Sequence, residues 1–314
     1  MLDSCVQPDL VAEITLQPVR RYAVDAAIVY SDIMVPLQAA GVDLEIVSGH
    51  GPLIARPIRD AADLEQLRPL DPADLWYVTE AVQQVVAELG ATPLIGFAGA
   101  PFTLASYLVE GGPSKDYART KTLMIADPGL WSELCSRLAD LSAVFLRTQV
   151  MAGAAAVQLF DSWAGSLSAA DYETYAQPYS AQVLGALAEF GVPRIHFGVG
   201  TSELLHLMGA AGAEVVGVDW RIPVAEASRR IGPAYAIQGN LDPALLGAPW
   251  PALAERVREV VRSGAAAPGH IFNLGHGVPP DADPAVLARI VDLVHAEGPQ
   301  LRAEARERAA VGAR

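Results

Sequence analysis

The sequence predicts an α/β fold in which short parallel strands alternate with helices. Seven short apolar runs recur along the chain, most of them followed by a polar or glycine-rich tip and then by a helix-like segment. The runs span residues 26–30, 93–98, 155–160, 194–199, 214–218, 234–238 and 270–274. Strands that alternate with helices in this way are typical of βαβ units, whose strands pair in parallel.

The segments between the strands have the spacing of helices with one buried face, since apolar residues recur at intervals of three and four. The clearest of these segments are Leu75–Leu89, Leu130–Val150, Tyr172–Phe190, Leu253–Val261 and Val286–His295. No Pro-, Gly- or Ser-rich linker divides the chain. We therefore predict one domain over residues 1–297, followed by a polar segment, residues 298–314, that forms a frayed helix or a tail.

A parallel sheet of this kind is either open or closed into a barrel. The open dinucleotide-binding form needs G-x-G-x-x-G after a strand, and the nearest run, Gly198-Val-Gly200-Thr-Ser-Glu203, lacks the third glycine. A barrel fits better because nearly every strand ends in a tip suited to a shared site. A closed barrel needs eight strands, however, and only seven are found. We expect a (β/α)8 TIM barrel whose first strand is missing from this chain.

Composition excludes two classes of protein. The 314 residues include 36 Asp plus Glu against 22 Lys plus Arg, a formal charge of −14, and 52% are apolar. Disordered chains are poor in apolar residues and nucleic-acid-binding chains are rich in Lys and Arg, so neither class fits. No run of 18 apolar residues occurs, and the N-terminus lacks the pattern of a signal peptide. We expect a cytoplasmic protein with no membrane or nucleic-acid partner.

Polar residues cluster at the predicted strand ends, which a barrel gathers on one face. The tips are Ser31-Asp32, Gly99-Ala100-Pro101, Asp161-Ser162-Trp163, Gly198-Val199-Gly200, Asp219-Trp220, Gly239-Asn240-Leu241-Asp242 and Gly275-His276-Gly277. Asp161, Thr201 and Asp242 could equally cap the following helices. Asp219-Trp220 could be a buried aromatic residue beside a satisfied carboxylate. His276 has little packing reason to lie between two glycines, which favours a role in a site.

Several chemistries lack their residues. A Schiff-base enzyme needs a lysine at a strand end, and both lysines, Lys115 and Lys121, lie between strands. Ser162 lies in Asp-Ser-Trp-Ala-Gly, not in the G-x-S-x-G of a hydrolase. The six histidines show no metal-ligand spacing, and the two cysteines, Cys5 and Cys135, are far apart and are interpreted as buried apolar residues. We expect no metal and no cofactor.

Five stretches resemble the uroporphyrinogen decarboxylase family, in the family's order and across almost the whole chain. They are VDAAIVYSDIMVPLQAAGVDLEIV (24–47), GFAGAPFTLASYLVEGGPSKDYARTK (96–121), VQLFDSWAG (157–165), GVDWRIP (217–223) with AIQGNLDPALL (236–246), and FNLGHGVPPDADP (272–284). The resemblance implies a cofactor-free (β/α)8 barrel that acts as a homodimer in heme biosynthesis. It also implies the reaction, in which uroporphyrinogen III loses four acetate carboxylates as carbon dioxide and becomes coproporphyrinogen III.

The resemblance places the family's functional residues on four positions. The central aspartate corresponds to Asp32, the tyrosine to Tyr107, the serine or threonine contact to Ser162, and the histidine to His276. Asp32 is thereby implied as the catalytic residue, and all four are implied to bind the substrate. We expect the ionised carboxylate of Asp32 to accept hydrogen bonds from the pyrrole N–H groups.

One family motif, an R-x-x-G-R run near the N-terminus, is absent. Arg20 and Arg21 resemble the helical region that follows that motif, and the absent part amounts to about one βα unit of roughly 30 residues. Either the start is misplaced at an internal methionine and the cellular protein is longer and active, or the chain is a shortened, inactive tetrapyrrole-binding remnant. A corrinoid or thiol methyltransferase on a related barrel is a third possibility, but its zinc-binding His-x-Cys pair is absent, since His196 is followed by Phe197-Gly198.

Overall fold

The computed structural model describes residues 1–312, and its centre is a sheet of seven parallel strands. The strands are β1 (Ala27–Ile28), β2 (Leu44–Val47), β3 (Gly51–Ile54), β4 (Leu94–Gly99), β5 (Ala156–Asp161), β6 (Arg194–Gly198), β7 (Val215–Gly217), β8 (Ala236–Gln238) and β9 (His270–Ile271). β2 and β3 form a separate antiparallel hairpin. The order in the main sheet is β1-β4-β5-β6-β7-β8-β9, and every neighbouring pair is parallel. The seven predicted strands and their parallel pairing are confirmed.

Helices connect the strands and cover the outer face of the sheet. They are α1 (Leu2–Cys5), α2 (Pro8–Tyr22), α3 (Val35–Ala39), α4 (Trp76–Leu89), α5 (Pro101–Glu110), α6 (Ala118–Ala126), α7 (Pro128–Ala152), α8 (Ala169–Tyr175), α9 (Gln177–Gly185), α10 (Leu205–Ala210), α11 (Val224–Ile231), α12 (Trp250–Ser263) and α13 (Pro284–Gly312). The five predicted helical segments coincide with α4, α7, the α8–α9 pair, α12 and α13.

Two helices differ from their expected bounds. The segment 172–190 is not one helix, because Pro178 has no N–H to donate to the carbonyl four residues before it and its ring clashes with that carbonyl. The chain bends at Ala176, between α8 and α9. α13 continues through Gly298 as far as Gly312, so the division between residues 297 and 298 is not marked by the end of a helix. That boundary stays a prediction, and residues 313–314 lie outside the described residues.

The sheet curves strongly, as a contact between two inward-facing glutamines shows. Gln158 of β5 and Gln238 of β8 are buried, and the amide nitrogen of Gln238 donates to the amide oxygen of Gln158 at 3.2 Å. Three strand spacings of a flat sheet would separate these positions by about 14 Å. The strands therefore curl around a common interior, where Phe160 makes edge-to-face contacts with Phe97 and Phe197.

The two ends of this curved sheet are not paired with each other within residues 1–312. β1 pairs with β4 and β9 pairs with β8, and an apolar cleft of about 530 Å³ lies between the two edges. Ile28 in β1 and Ile271 in β9 are each 40% exposed. The structure thus confirms the α/β class and a barrel-like curvature, whereas the absence of a first strand stays a prediction.

The β2–β3 hairpin was not expected from the sequence. Its turn contains two glycines with positive φ, Gly49 at 77° and Gly51 at 90°, a conformation that side chains rarely adopt. The amide of Ile54 donates to the carbonyl of Gly111 at 3.0 Å, which holds the hairpin against the end of α5. The hairpin therefore lies near the carboxyl ends of the strands, beside the helix that carries Tyr107.

Candidate active site

Asp32 lies at the carboxyl end of β1, just before α3. Its Oδ1 accepts a hydrogen bond from the amide of Met34 at 2.8 Å, a local turn that fixes the carboxylate. Burial raises the pKa of Asp32, and the Met34 N–H opposes this shift because it favours the charged form. Asp32 is thus a half-buried acid held in place by the backbone of its own loop.

Tyr107 is on α5, which begins with Pro101 immediately after β4. The ring of Tyr107 packs against Trp163, with 3.8 Å between the ring centroids and an angle of 34° between their planes. Burial, followed by the nearby charge of Asp32, raises the pKa of Tyr107 to about 12. The phenol therefore keeps its proton at neutral pH and can donate a hydrogen bond.

Ser162 lies in the turn after β5, between Asp161 and Trp163. The amide of Trp163 donates to the hydroxyl of Thr103 on α5 at 3.3 Å, and that hydroxyl donates to Asp161 at 2.8 Å. The carboxylate of Asp161 is therefore bonded to α5, and the cap of α8 is Ser168 instead. Helix α5 and the turn that carries Ser162 are thus joined to each other.

The other two proposed caps have different outcomes. Asp242 accepts from the amide of Ala244 at 2.9 Å and caps a short 3-10 helix, as the capping interpretation predicted. The hydroxyl of Thr201 instead donates to the carbonyl of Gly198 at 3.2 Å. Both residues therefore serve the local backbone.

His276 lies in the loop after β9, exposed to solvent. A Cβ atom at Gly275 would lie 2.6 Å from the amide nitrogen of Trp220, so only glycine lets this loop approach the tip of β7. The rings of His276 and Trp220 meet edge to face, 6.4 Å between centroids. The loop thus joins the tips of β7 and β9.

Asp219 organises the tip of β7 and confirms the interpretation as a satisfied buried carboxylate. It is 3% exposed and accepts from the amides of Gly200, at 2.6 Å, and Arg221, at 3.0 Å. It also forms an ion pair with the guanidinium of Arg221, which lies 4.2 Å above the ring of Trp220. An exposed cation is thereby held beside the aromatic contact of His276.

The structure brings some of the predicted residues together directly and others only through neighbours. The charge of Asp32 acts on Tyr107. The ring of Tyr107 packs on Trp163, which follows Ser162 in the chain. His276 lies with Trp220 on the other side of the cleft, whose lining includes Ser31 at the tip of β1 and the segment 272–274. All four lie at the carboxyl ends of the strands, but their roles in binding stay predictions.

From the sequence, no role was assigned to three residues that shape this site: Thr103, Trp163 and Arg221. Trp163 lies in a candidate strand tip and Arg221 directly follows another, so the sequence already indicated that both lie near the site. Thr103 is on α5, and no short-range pattern shows that its hydroxyl reaches a strand 58 residues away in sequence.

Three further features concern metal binding, membrane-spanning helices and the cysteines. Across residues 1–312, no group of three or more His, Cys, Asp or Glu side chains is arranged to hold a metal ion. No helix in the same range is both long and apolar enough to cross a membrane. Cys5 and Cys135 are both buried, as expected for apolar packing residues.

A curved parallel sheet with polar side chains at the carboxyl ends of its strands defines a barrel-like α/β protein of the kind that holds substrates at that face. Residues 1–297 match the family model described as uroporphyrinogen decarboxylase. The uroporphyrinogen decarboxylase of Streptomyces griseus is 64% identical over 295 residues, which cover 94% of this chain and 81% of that protein. That of Salinispora tropica is 63% identical and covers 94% and 80%. The chain belongs to the uroporphyrinogen decarboxylase family.

Solved structures with distant sequences share the fold. A methyltransferase from Methanosarcina mazei superposes with a TM-score of 0.78 at 17% identity, over 94% of this chain and 87% of that one. A B12-independent methionine synthase from a Shewanella species superposes with a TM-score of 0.58 at 10% identity, over 92% and 88%. At such identities the likeness concerns the fold alone, and it supports the barrel-like architecture.

Proposed function

We propose that this protein decarboxylates the four acetate side chains of uroporphyrinogen III and yields coproporphyrinogen III in heme biosynthesis. The observation that carries the proposal is the identity of 64% with a curated uroporphyrinogen decarboxylase over 295 residues. The position of Asp32 agrees with it, because a half-buried carboxylate at a strand end suits a ligand with clustered N–H donors.

The chemistry of the substrate gives Asp32 its proposed role. A porphyrinogen has eight carboxylates on its rim and four pyrrole N–H groups at its centre, so an anionic residue is repelled everywhere except at the centre. A carboxylate offers about four acceptor sites, and the amide of Met34 occupies one of them. The remaining sites can accept hydrogen bonds from converging pyrrole N–H groups.

The reaction needs an electron sink beside each leaving carboxylate. Addition of a proton to a pyrrole carbon makes the ring cationic, the bond between the acetate methylene and the carboxylate then breaks, and its electron pair neutralises the ring. Carbon dioxide leaves, a proton added to the methylene completes the methyl group, and the ring carbon gives up the proton that it first received, so that one proton is consumed for each carbon dioxide released. Ionised Asp32 stabilises the cationic ring as it forms, and a fixed charge in a poorly hydrated site does so more strongly than water. None of these steps requires a cofactor.

The other three residues are proposed to hold carboxylates of the substrate. Tyr107 donates through a phenol that stays protonated. Ser162 after β5 offers a hydroxyl, and His276 after β9 offers an imidazole. Proton transfer is the alternative role for the imidazole of His276, but carboxylate binding is the role we propose.

We further propose that an eighth parallel strand occupies the cleft between β1 and β9 and closes the (β/α)8 barrel. The cleft is apolar and both of its edge strands expose an isoleucine, Ile28 and Ile271. The curated relatives are also longer than the matched region, which spans 81% of the one from Streptomyces griseus. The strand is proposed to carry the R-x-x-G-R arginines that the resemblance implies. The resemblance likewise supports a cytoplasmic homodimer.

An assay of two forms tests these proposals together. The 314-residue chain and a form extended by the reading frame upstream of Met1 are incubated with uroporphyrinogen III, and the products with seven to four carboxylates are separated after oxidation. We expect the extended form to be at least about tenfold more active, because each arginine–carboxylate hydrogen bond contributes about 1.5–3 kcal/mol. Equal rates would show that the added arginines are not needed. Failure of both forms to release carbon dioxide would refute the function and favour an inactive tetrapyrrole-binding remnant.

A further inference from the structure

Three buried polar side chains lie behind β5 and β6, outside the proposed substrate contacts. They are Thr103 on α5, Asp161 at the end of β5 and His196 in β6, and each is 0% exposed. We call them the buried triad. Side chains alternate along a strand, and Phe160 and Phe197 face the interior of the curved sheet. Asp161 and His196 therefore point the opposite way, into the helical layer, and do not contact a ligand in the site.

The hydrogen bonds of the buried triad define where most of its protons lie. The Thr103 hydroxyl donates to Asp161 Oδ1 at 2.8 Å. His196 Nδ1 lies 3.2 Å from the carbonyl oxygen of Met208. A carbonyl can only accept, so Nδ1 carries a hydrogen. Whether Nε2 of His196 also carries a hydrogen depends on its contact with Asp161.

Two atoms of the triad face each other without a hydrogen-bond partner among residues 1–312. They are Asp161 Oδ2 and His196 Nε2, which are 3.9 Å apart. With Asp161 ionised and His196 neutral, both atoms would be acceptors, and two lone pairs would face each other in a site that excludes water. An unpaired buried carboxylate is also strongly unfavourable. One additional proton removes both problems.

Among residues 1–312, no cation other than His196 forms an ion pair with Asp161. The titratable side chains that face it from the neighbouring helices are the thiol of Cys135 on α7 and the phenol of Tyr172 on α8. Burial, followed by the charge of Asp161, raises the pKa of each well above its ordinary value, so both are neutral. In the described part of the chain His196 is the one side chain in ion-pair contact with Asp161.

We propose that His196 is doubly protonated and forms a buried ion pair with Asp161, and that this pair positions the residues that bind the substrate. Thr103 links the pair to the site, because its hydroxyl donates to Asp161 and accepts from the amide of Trp163 at 3.3 Å. Trp163 in turn packs on Tyr107 and adjoins Ser162. Thr103, Asp161 and His196 are thus positioning residues, a role that rests on the proposed function of Tyr107 and Ser162.

The charge of His196 can be measured without any activity. In protein labelled with ¹³C and ¹⁵N in its histidines, the His196 ring is assigned by its loss in His196→Gln. We expect both ring nitrogens to be protonated at pH 7, where a histidine in water, with its ordinary pKa near 6.5, is mostly neutral. In Asp161→Asn the amide can still accept from Thr103 and can donate to Nε2, so His196 should become neutral while the fold is kept. A neutral His196 in the unaltered protein at pH 7 would overturn the ion pair.

The positioning role is tested with a pair of matched variants at Thr103. Thr103→Val removes the hydroxyl that joins Asp161 to Trp163, and Thr103→Ser retains it. We expect the valine variant to raise KM for uroporphyrinogen about tenfold, as loss of a hydrogen bond of about 1.4 kcal/mol would do, and the serine variant to restore it. An unchanged KM with a lowered Tm would reduce the triad to a structural role. If no form converts uroporphyrinogen, the function fails while the histidine measurement still decides the ion pair.

Discussion

The middle and the edges of the main sheet differ in length and burial. β4 and β5 have six residues each, whereas β1 and β9 have two each. Val157 and Leu159 of β5 are fully buried, but Ile28 and Ile271 at the edges are 40% exposed. Regions with long hydrogen-bonded ladders and many buried contacts open last, so the middle is the rigid part of the molecule.

The four candidate site residues are divided between these regions. Tyr107 and Ser162 follow β4 and β5 in the middle, and the buried triad joins them. Asp32 and His276 follow the edge strands β1 and β9 on either side of the apolar cleft. Two of the proposed carboxylate contacts are therefore held by a packed scaffold. Asp32, the acid proposed to stabilise the reacting ring, follows the two-residue strand β1. Only closure of the sheet would give this strand a neighbour on both sides.

The largest effect should come from the edge that carries the proposed chemistry. In the form that converts uroporphyrinogen, Asp32→Asn should lower kcat about 10²- to 10³-fold, because a fixed charge beside the developing cation is lost. The fold should persist, since the amide oxygen can still accept from Met34. Steady-state rates together with far-UV circular dichroism measure both quantities.

Asp25 provides a matched control just before the amino end of β1. Its side chain is 85% exposed, and it contacts His295 at 3.1 Å. Because it lies at the opposite end of the strand from the site, Asp25→Asn should leave kcat within about twofold, as expected for a surface substitution. Wild-type turnover in Asp32→Asn, or an equal loss in both variants, would contradict an electrostatic role for Asp32.

Sequence periodicity predicted the middle of the sheet better than its surroundings. The apolar runs at 93–98, 155–160 and 194–199 became β4, β5 and β6 almost residue for residue, because strands buried on both faces need continuous apolar sequence. The β2–β3 hairpin was missed although Leu44 and Ile46 alternate with polar residues before a turn with two positive-φ glycines. That pattern is typical of a hairpin and could have been recognised.

The position of the site could be predicted from the sequence, but the contacts that hold its residues in place could not. Parallel strands bring their carboxyl ends to one edge, so Asp32 and His276 could be placed there from the sequence. The bond from Thr103 to Asp161 joins residues 58 apart, and its length depends on how α5 packs against β5. The curvature that lets Gln158 meet Gln238 is likewise a property of the whole sheet. Neither leaves a local trace in the sequence.

A pair of truncations compares the stability of the two regions directly. Leu159→Ala in β5 leaves a cavity in a fully buried site and should lower the free energy of unfolding by about 2–5 kcal/mol. Ile28→Ala in β1 removes a side chain that already meets solvent, and about 1 kcal/mol or less is expected. Urea denaturation of both variants measures the difference. Equal losses would show that the edge is packed as firmly as the middle.

The smallest effect concerns the pH dependence of stability at Asp32. Burial raises the pKa of this carboxyl above its ordinary value of 3.8, so the folded protein binds the proton more tightly than the unfolded chain does. The ionised form therefore lowers the free energy of unfolding. This loss is absent below pH 3.8 and becomes complete once the pH has risen through the pKa of the folded state.

Asp32→Asn should consequently be more stable than the unaltered protein at pH 7, and the gain should shrink as the pH is lowered towards 3.8. Denaturation at several pH values, with Asp25→Asn as the exposed control, measures this. A gain that does not change with pH would mean that the substituted amide simply packs better than the acid. Lower stability of Asp32→Asn than of the unaltered protein at pH 7 would mean that the ionised carboxylate of Asp32 does not destabilise the fold. The expected result would show that ionised Asp32, which follows an edge strand, lowers the stability of the folded protein. The well-packed middle of the sheet would then supply the stability that offsets this loss.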